Sequence, residues 1–350
     1  MAAGKRFPAQ FGHSAHTAVA PGRGCGVPPG EKPTPEKTYS AAVNPLRTLI
    51  LAAAGNDTIR RLVATAPVSR DVVRRFVAGE TTEDAVTATK DLVAAGLSVT
   101  LDYLGEDTTD RAQAEKTVQA YLELLDRLRA DGLADRAEVS VKLSAVGQAL
   151  DERLALDNAS RICAAAEQAG TTVTLDMEDH TTTDSTLGIL RELRRTWPWA
   201  GGVLQAYLHR TFDDATALAT EGSRIRLCKG AYKEPDTVAH VAPHEVDLAY
   251  VRCVNALLAG DGYPMFATHD PRLVEVIGER ARWYGRKPGS YEYQMLYGVR
   301  PEEQRRLAGA GETVRVYIPY GEEWYGYLMR RMAEKPANTA LFLRSLVSKS

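Results

Sequence analysis

Cysteine is scarce in this 350-residue sequence, and its four copies stand apart at positions 25, 163, 228 and 253. No two form a CxxC pair, which argues against a zinc ribbon and against a disulfide framework and suits a reducing compartment. Long apolar runs are missing too. The run "LILAAAG" from Leu49 falls well short of the ~20 residues needed to cross a bilayer. Neither sign of charge is in excess: 43 Lys and Arg face 45 Asp and Glu. A net charge of −2 gives no basis for expecting a nucleic-acid partner or an acidic membrane surface. No apolar core follows Lys5 and Arg6, so a secretory signal is not expected. No GxGxxG stands behind the first strand pattern, which removes the main support for a doubly wound dinucleotide-binding sheet.

What is present divides the chain. Residues 1–42 hold six of the 17 Pro and six of the 28 Gly, with five basic and two acidic side chains. Such a stretch is expected to be a disordered leader. From residue 43 to 97 the pattern is helical, with apolar residues three and four apart. It runs from "NPLRTLILAAAG", with Pro at its start and Gly at its end, to "TEDAVTATKDLVAAG" behind a Thr cap. This helical segment is expected to pack on the domain formed by the rest of the chain.

From residue 98 to 350, eight short β-rich runs alternate with amphipathic helical stretches. They begin at Ser98, Glu138, Thr171, Gly201, Ser223, Tyr263, Tyr291 and Val314. Strands alternating with helices imply right-handed βαβ units and a parallel sheet. Eight such units in ~250 residues predict an α/β fold, a distorted (β/α)8 TIM-type barrel preceded by N-terminal helices. The seventh strand carries the weakest pattern.

In such a barrel, functional groups gather where strands end and βα-loops begin. Buried parallel strands should be almost continuously apolar. Here polar residues recur near the carboxyl ends: Lys142, Asp176, Glu178, Gln205, Tyr207, Arg226, Lys229, Thr268, His269, Asp270, Gln294 and Tyr317. Together they predict a polar, occupied barrel mouth. Lys142 in "VSVKLSA" has no sheet edge to escape to in a closed barrel, so it is expected to meet an anion. Asp176 in "LDMED" could cap the following helix, but neighbouring Thr and Asp residues serve that purpose and leave Asp176 for the mouth. His269 could equally be a buried histidine bonded to a backbone carbonyl. His240 and His244 have metal-ligand spacing, yet Pro243 interrupts a helix there and no third ligand follows at a fixed offset. A loop pair without metal is expected. In "KGAY", Gly230 permits close approach of backbone to a ligand, or simply an ordinary βα turn.

Near the carboxyl end, "YGYLMRRM" places Arg330 and Arg331 side by side. Paired arginines usually decorate a helix surface. At about 100° per residue, however, Tyr327, Arg330, Arg331 and Glu334 share an arc of roughly 100° on a helix that starts at the barrel mouth. Two guanidiniums on one face suit a single carboxylate.

The motifs "SVKLSA", "LDMED", "LQAYLHRT", "RLCKGAYKEP", "FATHD", "YQMLYG" and "RVYIPYGEEWYGYLMRRMAEKPAN" resemble, in their order and spacing, proline dehydrogenase of the compact monofunctional bacterial type. The resemblance runs from Asn44 to Leu346. It implies an FAD-dependent oxidation of L-proline to Δ1-pyrroline-5-carboxylate, with electrons passed to a membrane quinone. It also implies a cytoplasmic protein, peripheral at most to the inner face of the membrane. Lys142, Arg330 and Arg331 match the clamp on the proline carboxylate, and Tyr317 and Tyr327 the walls around its ring, with Leu227 and Tyr232 nearby. Asp176 matches the active-site acid, and Arg226 the arginine beside the reactive part of the flavin. Met177, Gln205, Lys229, Gly230, Ala231, Thr268, His269 and Asp270 fall where the family holds FAD. Glu334 matches a carboxylate that orders the arginine helix. Two positions depart from the pattern: Lys233 stands where some members carry Trp, and Asp270 where longer members carry Asn. Three rivals are another flavin barrel enzyme, a proline-responsive regulator and a phosphate-binding barrel isomerase. The second lacks a DNA-binding motif, and the third lacks Gly-rich phosphate loops.

Overall fold

The computed structural model of the protein describes residues 73–105 and 108–334, with side chains described as far as residue 329. The expected leader and the first helical stretches lie outside the described residues.

Helix α1 (Thr82–Ala94) starts on a full capping box, in which Thr81 accepts from the Asp84 amide and Asp84 accepts from the Thr81 amide. That exchange satisfies two donors the first helical turn would otherwise leave open. Then eight strands alternate with helices: β1 (Ser98–Tyr103), α2 (Arg111–Ala130), β2 (Ala137–Lys142), α3 (Glu152–Ala169), β3 (Val173–Asp176), α4 (Thr183–Arg194), β4 (Gly201–Gln205) and α5 (Thr211–Leu218). The second half continues with β5 (Arg224–Cys228), α6 (Pro243–Ala259), β6 (Tyr263–Ala267), α7 (Pro271–Trp283), β7 (Glu292–Leu296), α8 (Pro301–Gly309), β8 (Val314–Tyr320) and α9 (Trp324–Glu334). All neighbours pair in parallel, and β8 pairs back onto β1, so the sheet closes into the expected (β/α)8 barrel. The weakly patterned seventh strand takes its place between β6 and β8.

Strand side chains alternate between the helix layer and the barrel interior. Val99, Leu101, Val139, Val141, Val173, Leu175, Val316 and Ile318 are buried in one apolar core with helix residues such as Leu124, Ile162 and Leu190. The alternate positions are polar along most of these strands. Thr100, Asp102, Glu138, Ser140, Thr174, Arg226, Glu292 and Gln294 are all buried. The sequence pattern predicts polarity at the carboxyl ends alone; the structure carries it down to the barrel floor. The strands tolerate it because each charge meets an opposite one across the interior.

One expectation is corrected. Pro243 does not break a helix but opens α6 in its first turn, so His244 is helical while His240 precedes the helix. Proline suits that place because its missing N–H is one the first turn leaves unpaired anyway. The His240 ring packs edge-on against His209, with centroids 4.5 Å apart.

Candidate functional site

The mouth is organised by the last residue of β3. Asp176 Oδ1 accepts from Arg226 Nη1 at 2.7 Å and from Ser140 Oγ at 2.8 Å, while Oδ2 accepts from the Tyr317 hydroxyl at 2.7 Å. Four strands thus converge on one carboxylate. The N-cap alternative does not apply, because Asp179 caps the short 3-10 turn His180–Thr182 that precedes α4. The Arg226 guanidinium lies 5.3 Å over the Tyr317 ring and donates from Nε to Gln294 Oε1 at 2.6 Å. Lys142 meets the anion its position demanded, pairing with Asp102 at 2.7 Å. Burial raises the Asp102 carboxyl, an effect the Lys142 charge opposes. Burial also drives the Tyr317 phenol upward, and the Asp102 and Asp176 charges add to the effect, so it acts as a neutral hydrogen-bond donor.

Beneath this lies a second charged tier. Glu138 is within 2.7 Å of Arg224, 3.6 Å of Arg226 and 3.8 Å of Arg315. Burial alone would raise its carboxyl, but the Arg315, Arg224 and Arg226 charges hold it down at about 2. Glu292 accepts from Arg315 at 2.7 Å and from the Tyr263 hydroxyl at 3.0 Å. Four acids (Asp102, Glu138, Asp176, Glu292) and four bases (Lys142, Arg224, Arg226, Arg315) therefore balance inside the barrel.

Beside the hub, the ends of β5, β6 and β7 enclose a cavity of about 500 Å³. Its lining includes six of the eight residues expected to hold a cofactor: Lys229, Gly230, Ala231, Thr268, His269 and Asp270. Gln294 lines it as well. Met177 and Gln205 lie outside that lining. Met177 is buried in the core after β3, and Gln205 donates to the Glu178 carbonyl at 2.7 Å. Lys229 is held by Asp247 at 2.5 Å and Asp270 at 3.3 Å. Asp270 caps α7 through the Arg272 amide, and the Arg272 side chain, with Lys229, keeps its carboxyl well below the ordinary range. His269 Nε2 accepts from the Leu296 amide at 2.8 Å, which leaves the ring proton on Nδ1. Thr268 Oγ1 accepts from the Asp270 amide at 3.2 Å. A neighbouring cavity of about 430 Å³ shares Lys229 and Gly230 and adds Tyr207, Tyr232, Lys233 and Arg272.

Gly230 is required twice over. Its φ of +119° lies where L side chains rarely go, and a Cβ there would stand 2.4 Å from the Tyr207 ring. The backbone is thereby kept bare at the junction of the two cavities.

Tyr327 is buried on α9, together with Trp324, Leu328 and Met329. Arg330, Arg331 and Glu334 belong to the same helix, but their side chains lie outside the described residues. The sequence pattern assigns no role to Ser140, Asp102 or the floor quartet Glu138, Glu292, Arg224 and Arg315, and it puts Gln294 at the mouth without a partner. The available signal is alternation in "EVSVK", "RIRL", "EYQM" and "VRVYI", where every second residue is polar.

The model for the family described as proline dehydrogenase matches residues 85–344. The chain is 36% identical over 304 residues to Proline dehydrogenase 1 of Bacillus subtilis, covering 87% of this chain and all of that protein. It is 40% identical over 282 residues to Proline dehydrogenase of Deinococcus radiodurans, covering 79% and 90% of the two chains. Among solved structures, proline utilization A (PutA) from Bdellovibrio bacteriovorus, inactivated by N-propargylglycine, superposes with a TM-score of 0.73 at 24% identity. That match takes in 88% of this chain and 38% of the longer protein, and it speaks to the fold.

Proposed function

This chain belongs to the proline dehydrogenase family, and from that premise we propose that it oxidises L-proline to Δ1-pyrroline-5-carboxylate with FAD as cofactor and a membrane quinone as final electron acceptor. The observation that carries the reading is Asp176 joined to Arg226, Ser140 and Tyr317 beside a cavity lined by Lys229, Gly230, Thr268 and His269. The cavity suits a flavin dinucleotide on two grounds: the bare backbone at Gly230, and the donors of Lys229 and Thr268. FAD, when bound, supplies the hydride acceptor.

The chain's own residues do the rest. Lys142, Arg330 and Arg331 would grip the substrate carboxylate, and Tyr317 and Tyr327 would flank the ring, which fixes the reacting carbon by proximity. That carbon, next to the nitrogen, loses a hydride while the nitrogen loses a proton, and a C=N bond closes. Arg226 supplies positive charge where negative charge builds up, and Asp176 keeps it aimed. No helix among the described residues is long and apolar enough to cross a membrane. In this reading, electrons reach a quinone by surface contact with the inner face of the membrane from the cytoplasm.

The test is anaerobic mixing of the purified protein with L-proline. Bleaching of the flavin absorbance is the expected outcome; bound flavin that proline leaves oxidised would point instead to a flavin barrel enzyme for another small amine or acid. Gly230→Ala should yield protein with markedly lower flavin content at unchanged expression, measured from the ratio of flavin to protein absorbance. Arg331→Ala should retain FAD yet raise KM for proline roughly 10–100-fold, because a charged hydrogen bond is worth about 1.5–3 kcal/mol. Unchanged proline kinetics would remove Arg331 from the clamp.

A further inference from the structure

The barrel interior contains a closed circuit that ties Arg226 to the barrel floor, and four of its members have no part in the proposed reaction. Arg226 Nε donates to Gln294 Oε1 at 2.6 Å, and Gln294 Nε2 donates to Glu292 Oε1 at 2.6 Å. Arg315 Nε donates to Glu292 Oε1 at 2.7 Å and stands 3.8 Å from Glu138 Oε1. Glu138 Oε1 returns to Arg226 Nη2 at 3.6 Å. Four of the five members, Arg226, Gln294, Glu292 and Glu138, are each under 5% exposed, so water does not compete for these contacts.

Gln294 occupies the one place in this circuit that must donate and accept at once. Glu292 can only accept and Arg226 can only donate, so the amide has a single acceptable orientation. Turning it over would set NH2 against a guanidinium and C=O against a carboxylate. Neither Glu nor Met at this position reproduces both contacts, since an ionised Glu repels Glu292 and Met bonds to neither. Glu292 is itself immobilised, with the Tyr263 hydroxyl on its second oxygen at 3.0 Å. The orientation of the amide is thus inherited from the barrel floor and passed to the arginine at its mouth. Gln294 also lines the cavity assigned to FAD.

We propose that Gln294 is a positioning residue for the reaction, which locks the Arg226 guanidinium through Nε in one rotamer and so sets the positive field acting on the bound flavin. The proposal rests on the reading of the cavity as an FAD site. Asp176 and Ser140 hold Nη1, and Gln294 holds Nε. A guanidinium hydrogen-bonded at two of its nitrogens cannot swing out of its plane, whereas one hydrogen-bonded at Nη1 alone can pivot about that bond, because Glu138 at 3.6 Å from Nη2 attracts it without fixing its direction. Charge displaced even slightly inside a low-dielectric site alters the field steeply. The consequence belongs to the electron-accepting step, not to grip on the substrate carboxylate.

The test compares Gln294→Met and Gln294→Asn with the wild type in the FAD-loaded enzyme, by flavin content, thermal melting, flavin reduction potential and steady-state kinetics. Met preserves the volume and removes both hydrogen bonds; Asn keeps the amide but is one methylene too short to bridge both partners. The expected result is wild-type flavin content with flavin reduction at least tenfold less favourable. That change is about 30 mV for a two-electron couple. With it, kcat should fall at least tenfold while KM for proline stays within threefold. A potential and kcat equal to wild type in either folded variant would overturn the proposal, as would a rise in KM at constant kcat. If neither variant folds, Gln294 serves stability and the proposal falls as well. Wild-type protein that binds no flavin, or whose flavin proline leaves oxidised, would instead count against the proposed function, so the two failures are separable.

Discussion

Asp176→Asn is expected to lower kcat/KM for proline by roughly 10²–10⁴-fold in a protein that remains folded. The carboxylate accepts three hydrogen bonds, from Arg226, Ser140 and Tyr317. An asparagine offers one accepting oxygen and one NH2 group. If its oxygen serves Arg226 and Ser140, the NH2 faces the Tyr317 hydroxyl, which must then turn its own proton elsewhere. If the amide is reversed, the NH2 meets a guanidinium. In either case the negative charge that holds Arg226 on its Asp176 side is gone. A hydrogen bond to a charged group contributes about 1.5–3 kcal/mol, so losing or inverting two costs ~3–6 kcal/mol. At 1.36 kcal/mol per decade that range spans the predicted loss. Steady-state kinetics on flavin-loaded variant and wild type decide it. A change under threefold would mean that Asp176 is a structural strut and that Arg226 is held well enough without it.

Glu138→Gln should be the most destabilising conservative change in the barrel. Glu138 is 1% exposed and neutralises Arg224, with Arg226 and Arg315 also within 4 Å. Removing one member of a buried ionic group leaves uncompensated charge, at a typical cost of about 3–5 kcal/mol. At roughly 2–4 °C per kcal/mol for a domain of this size, Tm should drop by about 6–20 °C. The pH dependence has a defined sign. The folded carboxyl is held at about 2, below the ~4.3 of an unfolded glutamate. Its contribution is therefore complete above the unfolded value and is lost as pH falls towards 2. The variant should show a flatter decline in stability across that acid window, measured by chemical denaturation at several pH values. A Tm loss under about 2 °C would show that Glu292 alone suffices to balance the floor.

How much of this is legible in the sequence varies by element. The eight βα units can be read because each strand and helix is specified locally, by period-2 and period-3.6 patterns and by turn residues. Even "YEYQML", the faintest, is a strand in place. The correction at Pro243 has the same local character: proline is a stop signal inside a helix and a start signal in its first turn, and the chain uses it as a start. The clustering of Lys229, Gly230, Ala231, Thr268, His269 and Asp270 is legible too, since barrel topology brings consecutive strand ends together.

The charged floor is not legible, for a geometric reason. The two-residue period says that Glu138, Arg224, Glu292 and Arg315 share the interior, but not which of them meet. Glu138 and Arg224 are 86 residues apart, and Arg226 and Gln294 are 68. The pairing of β8 with β1, and the heights at which eight tilted strands present their side chains, select the partners. By itself the sequence determined the barrel, the polarity of its mouth and the family of the chain. The tertiary structure decided that Asp176, Arg226 and Gln294 form one connected unit. Closure converts side chains distant along the chain into neighbours in a space from which water is excluded, and only there does each acceptor need a particular donor.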